Sequence, residues 1–74
     1  MTLDELPPGA EAVVQAVRPF GGRGRLTDLG LIPGTPVTAL RISPSGDPVA
    51  YRFRGTVIAL RRRDAREIMI EVRA

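Results

Sequence analysis

A chain of 74 residues with no cysteine has to hold itself together with one hydrophobic core and nothing else. At this size folding removes only about 60% of the surface that the unfolded chain exposes. No disulfide can compensate for so small a core. The chain is therefore expected to be one domain, residues 1–74, with no room for a second. Hydrophobic residues make up 43% and charged residues 26%, ordinary globular usage that disfavours disorder and fibrous structure.

Histidine is absent as well. Thiolate chemistry, the commonest general base and the commonest transition-metal ligand are thereby removed together. No nucleophile, base and orienting group can be assembled from what remains, so no catalytic residues, no cofactor and no small-molecule substrate are expected. The carboxylates Asp4, Glu5, Glu11, Asp28, Asp47, Asp64, Glu67 and Glu71 form no recognisable ligand cluster, and transition-metal sites usually add imidazole or thiolate to carboxylate. No metal site is expected. The opening Met1-Thr2-Leu3-Asp4-Glu5-Leu6 is acidic where a signal peptide is basic, which points to a cytoplasmic location. Apolar runs such as Val57-Ile58-Ala59-Leu60 fall far short of the roughly 20 residues needed to span a bilayer, so the chain is not expected to be membrane-embedded. All 11 basic residues are arginine and the formal net charge is +3. This permits an anionic partner without requiring one.

Along the chain, Leu3, Leu6 and the Pro7-Pro8-Gly9 turn make an opening segment that can continue neither a helix nor a central strand. Residues 12–18 read as a first strand, with Val13 and Val14 equally eligible for the inward face. Pro19-Phe20-Gly21-Gly22 breaks the chain. A short helix follows over residues 23–29, Leu26 and Leu29 lying on one side. Gly30 stands where a left-handed stop is needed, and Leu31 beyond it can touch Leu26, the contact of a Schellman motif. Residues 37–42 form a second strand after Pro36, and residues 43–48 form a hairpin loop. In the third strand Val49, Tyr51 and Phe53 alternate with Ala50, Arg52 and Arg54, one dry face and one wet. Gly55-Thr56 turns the chain into residues 57–60. Residues 61–67 read as one or two helical turns, with Arg63 and Glu67 at i,i+4 spacing, and a last strand runs through Ile70 and Val72. Five short strands are unstable alone, and closing them removes edges that invite aggregation. The expected fold is all-β, a small five-stranded SH3-like barrel with two short helices.

Two segments, in order, carry a family resemblance. Residues 25–37, Arg-Leu-Thr-Asp-Leu-Gly-Leu-Ile-Pro-Gly-Thr-Pro-Val, and residues 54–61, Arg-Gly-Thr-Val-Ile-Ala-Leu-Arg, followed by Ala65 and Ile68, resemble the helix-to-strand segment and the closing hairpin and helix of FeoA domains. Leu6-Pro7-Pro8-Gly9 with residues 12–17 also fits, so the resemblance covers nearly the entire chain. It implies an SH3-like barrel acting in ferrous iron uptake as a cytoplasmic partner of the membrane transporter FeoB. The same domain follows DNA-binding modules in DtxR-type repressors, so a free-standing relative of that repressor domain is an alternative.

Candidate contact residues follow from chemistry. Leu31 and Ile32 are adjacent apolar residues in a loop where both can hardly be buried, and Ile32 with Phe20 offers an apolar patch. Arg61, Arg62 and Arg63 open a helix against its dipole and could meet an acidic partner surface. Gly21-Gly22-Arg23-Gly24-Arg25 has the flexibility to cradle a phosphate but lacks a Lys-Ser/Thr pair, and a tight turn into the helix explains it better. Proline-rich peptides need an aromatic-lined groove, and this chain has no Trp, one Tyr and two Phe. A small arginine-rich barrel binding nucleic acid is the reading from another class. Strand alternation disfavours it by placing Tyr51 and Phe53 opposite Arg52 and Arg54.

Overall fold

In the computed structural model, which describes residues 1–73, apolar alternation and glycine stops set the elements. A 3₁₀ turn at Leu3–Glu5 precedes β1 (Glu11–Val17), α1 (Arg23–Asp28), β2 (Pro36–Ile42), β3 (Val49–Phe53), β4 (Thr56–Leu60), α2 (Arg62–Ala65) and β5 (Ile68–Val72). The strands form one sheet in the order β4-β3-β2-β1-β5, every neighbour antiparallel. Register shifts at Val14/Ala16 in β1 and Ala39/Arg41 in β2 are bulge-like irregularities, which bend and twist a strand and so help the sheet curl around its core.

That core takes Val14, Val37, Tyr51, Phe53, Ile68 and Ile70 from the strands. Leu3, Leu6, Leu26 and Leu31 reach it from the segments between. Each buried side chain of this kind contributes about 1.5–3 kcal/mol, enough that losing one threatens a domain this small. Val14 is buried and Val13 only partly so, which decides the register that periodicity left open. The third strand buries Val49, Tyr51 and Phe53 and exposes Arg52, as its alternation requires.

The stop of α1 has Schellman geometry. Gly30 adopts φ +101°, its N–H donates to the Thr27 carbonyl at 3.0 Å, and the Leu31 N–H donates to the Leu26 carbonyl at 2.9 Å. These bonds satisfy carbonyls that a helix end leaves without partners.

Of the one or two helical turns expected over residues 61–67, one forms, Arg62–Ala65, because Ile68 belongs to β5, where it pairs with Val17. Arg63 consequently lies 4.0 Å from Asp64 instead of reaching Glu67. Nor do the outer strands close on each other, since β4 and β5 stand at opposite ends of the ladder. The outer edge of β5 is met by the start of the chain: Thr2 bridges Met69 antiparallel, and the Ile70 N–H donates to the Met1 carbonyl at 2.9 Å. The 3₁₀ turn packs against α2 and β5, so local segments and not a β4–β5 ladder complete the barrel.

Candidate protein-contact site

The most constrained corner of the molecule lies where the stop of α1 meets the β3–β4 hairpin. The hairpin turn is Arg54-Gly55, with φ +49° and +74°. Two left-handed residues are what a type I′ turn requires, and its twist suits the flanking strands. An arginine in that conformation costs on the order of 1 kcal/mol. A bond offsets part of this: Arg54 Nε donates to the Gly30 carbonyl at 3.2 Å. The same carbonyl accepts from the buried Thr35 hydroxyl at 2.8 Å and from the Ile32 N–H at 3.1 Å. A Cβ at position 30 would stand 2.5 Å from Arg54 Cδ, so glycine is needed here for close approach as well as for its φ.

Three donors on one carbonyl brace the loop that presents Leu29 and Ile32, each 38% exposed. Ile32 is therefore at the surface, as expected of a contact residue. Leu31 is not: it is 1% exposed and fills the core beneath the loop, because the Schellman contact turns it inward. Phe20 is half-buried, packed against the core, with its ring edge lying where a Cβ on Gly22 would be. It precedes α1, whereas Ile32 follows that helix. The Gly21-Gly22 segment thus has a packing role, consistent with the tight-turn reading.

The three consecutive arginines separate into two kinds. Arg62 is folded inward: its Nε donates to the Gly46 carbonyl at 2.7 Å and its Nη1 to the Asp4 carbonyl at 3.2 Å. Its backbone N–H donates to Asp47 Oδ1 at 3.0 Å, giving the N-terminus of α2 a carboxylate partner. Arg62 thereby ties the β2–β3 loop and the 3₁₀ turn to α2, a structural duty that its neighbours Arg61 and Arg63 do not share. Arg61 is exposed, and the Arg63 side chain is 82% exposed. Arg61 has no side-chain bond among the described residues, and Arg63 holds only the exposed 4.0 Å pair with Asp64.

Behind Arg62 lies Tyr51, fully buried, its hydroxyl donating to the Leu3 carbonyl at 3.2 Å. Burial pushes the phenol up to about 12; Arg62 pulls the other way, and the Asp4 and Asp47 carboxylates reinforce the rise. Tyr51 and Phe53 point into the core while Arg52 and Arg54 are exposed, so the rings are not available as stacking platforms for nucleic acid bases.

Among the described residues, depressions lined by Val13, Gln15 and Val72 and by Arg41, Ile42 and Pro48 measure about 260 and 290 Å³, below the usual range of sites that enclose a ligand. Among the described residues no three Asp or Glu side chains converge as a metal site would need. The features that stand out are an apolar corner and exposed arginines, which suit contact with another protein. No part in this corner was expected of Arg54, Thr35 or Leu29. An arginine ahead of the hairpin glycine gives no sign of a carbonyl acceptor 24 residues away.

Residues 1–72 match the family described as FeoA domain. A fusion of Fe(2+) transport protein A with the Fe(2+) transporter FeoB from Porphyromonas gingivalis is 37% identical over 73 residues, covering 97% of this chain and 9% of that protein. The solution structure of FeoA from Chlorobium tepidum superposes with a TM-score of 0.93 at 37% identity, over 100% of this chain and 71% of that one. The zinc-complexed FeoA of Stenotrophomonas maltophilia, described as a prokaryotic SH3 domain protein, superposes at 0.84 with 32% identity, over 96% of this chain and 89% of that one.

Proposed function

Because the chain belongs to the FeoA family, an accessory domain of ferrous iron transport, we propose that it acts without catalysis, docking on the cytoplasmic side of a FeoB-type transporter. There it changes the transporter's assembly or its nucleotide-driven cycle. The observation that carries this reading is the Porphyromonas gingivalis fusion, in which a 37% identical domain shares one polypeptide with FeoB. Covalent linkage raises the effective concentration of one module at the other, an arrangement that benefits domains working by contact. Among the described residues no helix is long and apolar enough to cross a membrane, so the transporter supplies the spanning segments.

Ile32 is the centre of the docking surface, with Phe20 beside α1 and with Arg61 and Arg63 as a second, basic patch. Leu31 and Arg62 support the surface from beneath. An interface this small is transient. The test is capture from native lysate by the tagged domain, repeated with Ile32→Asp after its fold has been checked by circular dichroism. Recovery of a ferrous iron transporter by the wild type and its loss in the variant is the expected result. Recovery of nucleic acid that salt releases, with no transporter, overturns the proposal, since log K falling with log salt is the mark of phosphate binding.

A further inference from the structure

We propose that the open edge of β4 accepts an extended, acidic segment of a partner protein as a sixth strand of the sheet. This deepens the docking reading above and rests on it, adding how the partner binds and what its chemistry is.

The two-residue turn at Arg54-Gly55 makes Phe53 and Thr56 the hydrogen-bonded pair that closes the hairpin. Strict alternation along the antiparallel ladder then makes Tyr51–Ile58 and Val49–Leu60 bonded pairs as well. Val57 and Ala59 are left with N–H and C=O groups directed away from β3. Outside the β3 ladder no hydrogen bond among the described residues reaches Thr56–Leu60. The edge also lacks the usual protection, since natural edges are blunted by charge, proline or a bulge. Thr56–Leu60 contains no charged residue and no proline, and its register with β3 is unbroken. Val57 is 52% exposed and Ala59 is exposed beside it. The opposite edge of the sheet, by contrast, is met by Met1 and Thr2.

Charge selects the occupant. From Pro48 to Arg63 the chain holds five arginines and no acidic residue. Arg52 pairs across the ladder with Val57, Arg54 lies at one end of β4 and Arg61 at the other. A second copy pairing antiparallel about Ile58 would set Gly55 against Arg61, bringing Arg54 of one copy beside Arg61 of the other. A strand carrying Asp or Glu answers the same arginines favourably. Five residues at about 3.4 Å each give an edge of roughly 17 Å, which runs from the Ile32 corner to Arg61 and joins the two contact patches in one surface. Main-chain bonds would supply affinity here and alternate side chains specificity.

The probe is a synthetic peptide alternating Asp or Glu with Val, titrated into the full chain labelled with ¹⁵N. The Val57 and Ala59 amides are expected to shift most and to gain protection from exchange, and added salt should weaken binding. Methylating the peptide's alternate amide nitrogens should abolish binding without touching the protein. Ala59→Pro, which removes one outward N–H at a position where edge strands tolerate proline, should raise Kd about tenfold. Shifts confined to Ile32, no shifts at all, or undiminished binding of the methylated peptide would refute the proposal. So would self-association of the chain that Ala59→Pro abolishes, which would assign the edge to a second copy. Transporter capture that survives Ala59→Pro but not Ile32→Asp would overturn strand addition while leaving the docking reading intact; capture by neither wild type nor variant would remove both.

Discussion

Replacing Gly30 with alanine sets a methyl group 2.5 Å from Arg54 Cδ and 3.1 Å from its Nε, at a backbone φ of +101°. The two penalties are separable. Backbone strain for a residue with a Cβ in the left-handed region is about 1–2 kcal/mol. The Arg54 stem is exposed and can swing away, so the clash itself is relieved cheaply, but the bond to the Gly30 carbonyl goes with it, at about 0.5–1 kcal/mol. Gly30→Ala is therefore expected to cost about 1.5–3 kcal/mol, lowering Tm by roughly 6–24 °C in a domain of this size. The assay is urea and thermal unfolding of Gly30→Ala, Arg54→Ala and the double variant, arranged as a double-mutant cycle. In the Arg54→Ala background only the strain should remain, making Gly30→Ala cheaper there by about 0.5–1 kcal/mol. A cost under about 0.5 kcal/mol in the wild type, or equal costs in both backgrounds, would refute the account of why glycine stands at this corner.

Tyr51 makes the chain sensitive to alkali. With no lysine, cysteine or histidine, and with arginine protonated to above 12, it is the one side chain expected to titrate between about 9 and 12. Its folded-state value is raised from 10.0 to about 12, so the folded state holds the proton more tightly than the unfolded one. The contribution of Tyr51 to stability should be constant below about pH 10 and be lost as pH rises towards 12; thermal melts from about pH 9 to 12 should show the decline in the wild type and not in Tyr51→Phe. Among the arginines, Arg62→Ala should cost about 1.5–3 kcal/mol in denaturant unfolding, through two carbonyls left without their charged donor. Arg61→Ala and Arg63→Ala should stay within about 0.5 kcal/mol. Equal effects at all three positions would contradict the different duties assigned to them.

What could be read from the sequence was carried by side chains, and what escaped belongs to the backbone. The period-two pattern of residues 49–54 specified which face of β3 is dry, and Gly30 followed by Leu31 specified a helix stop down to its hydrogen bonds. In both cases residue type encodes the local conformation directly. The apolar run at residues 57–60 announced a strand, but side-chain alternation reports a face and never an edge. Hence the expected closure into a small barrel did not say which strands would border the sheet, and the position of β4 at its edge was hidden. Arg62 was placed beside Arg61 and Arg63 because the three look alike in sequence, yet its acceptors are carbonyls of Gly46 and Asp4, and a carbonyl has no residue identity to detect. Leu31 illustrates two local rules in competition: a loop position favoured exposure and the Schellman contact favoured burial, and the contact prevailed.

The pairing of Met1 and Thr2 with β5 also governs on which side the sheet can take a neighbour. A sheet with both borders free can be extended from either side, and repeated extension gives filaments that do not close. Here Met1 and Thr2 meet the middle of the β5 border, at Met69 and Ile70, from within the same molecule. Strand addition is thereby directed to the β4 side, the border at which no described segment of the chain competes for the outward N–H and C=O groups.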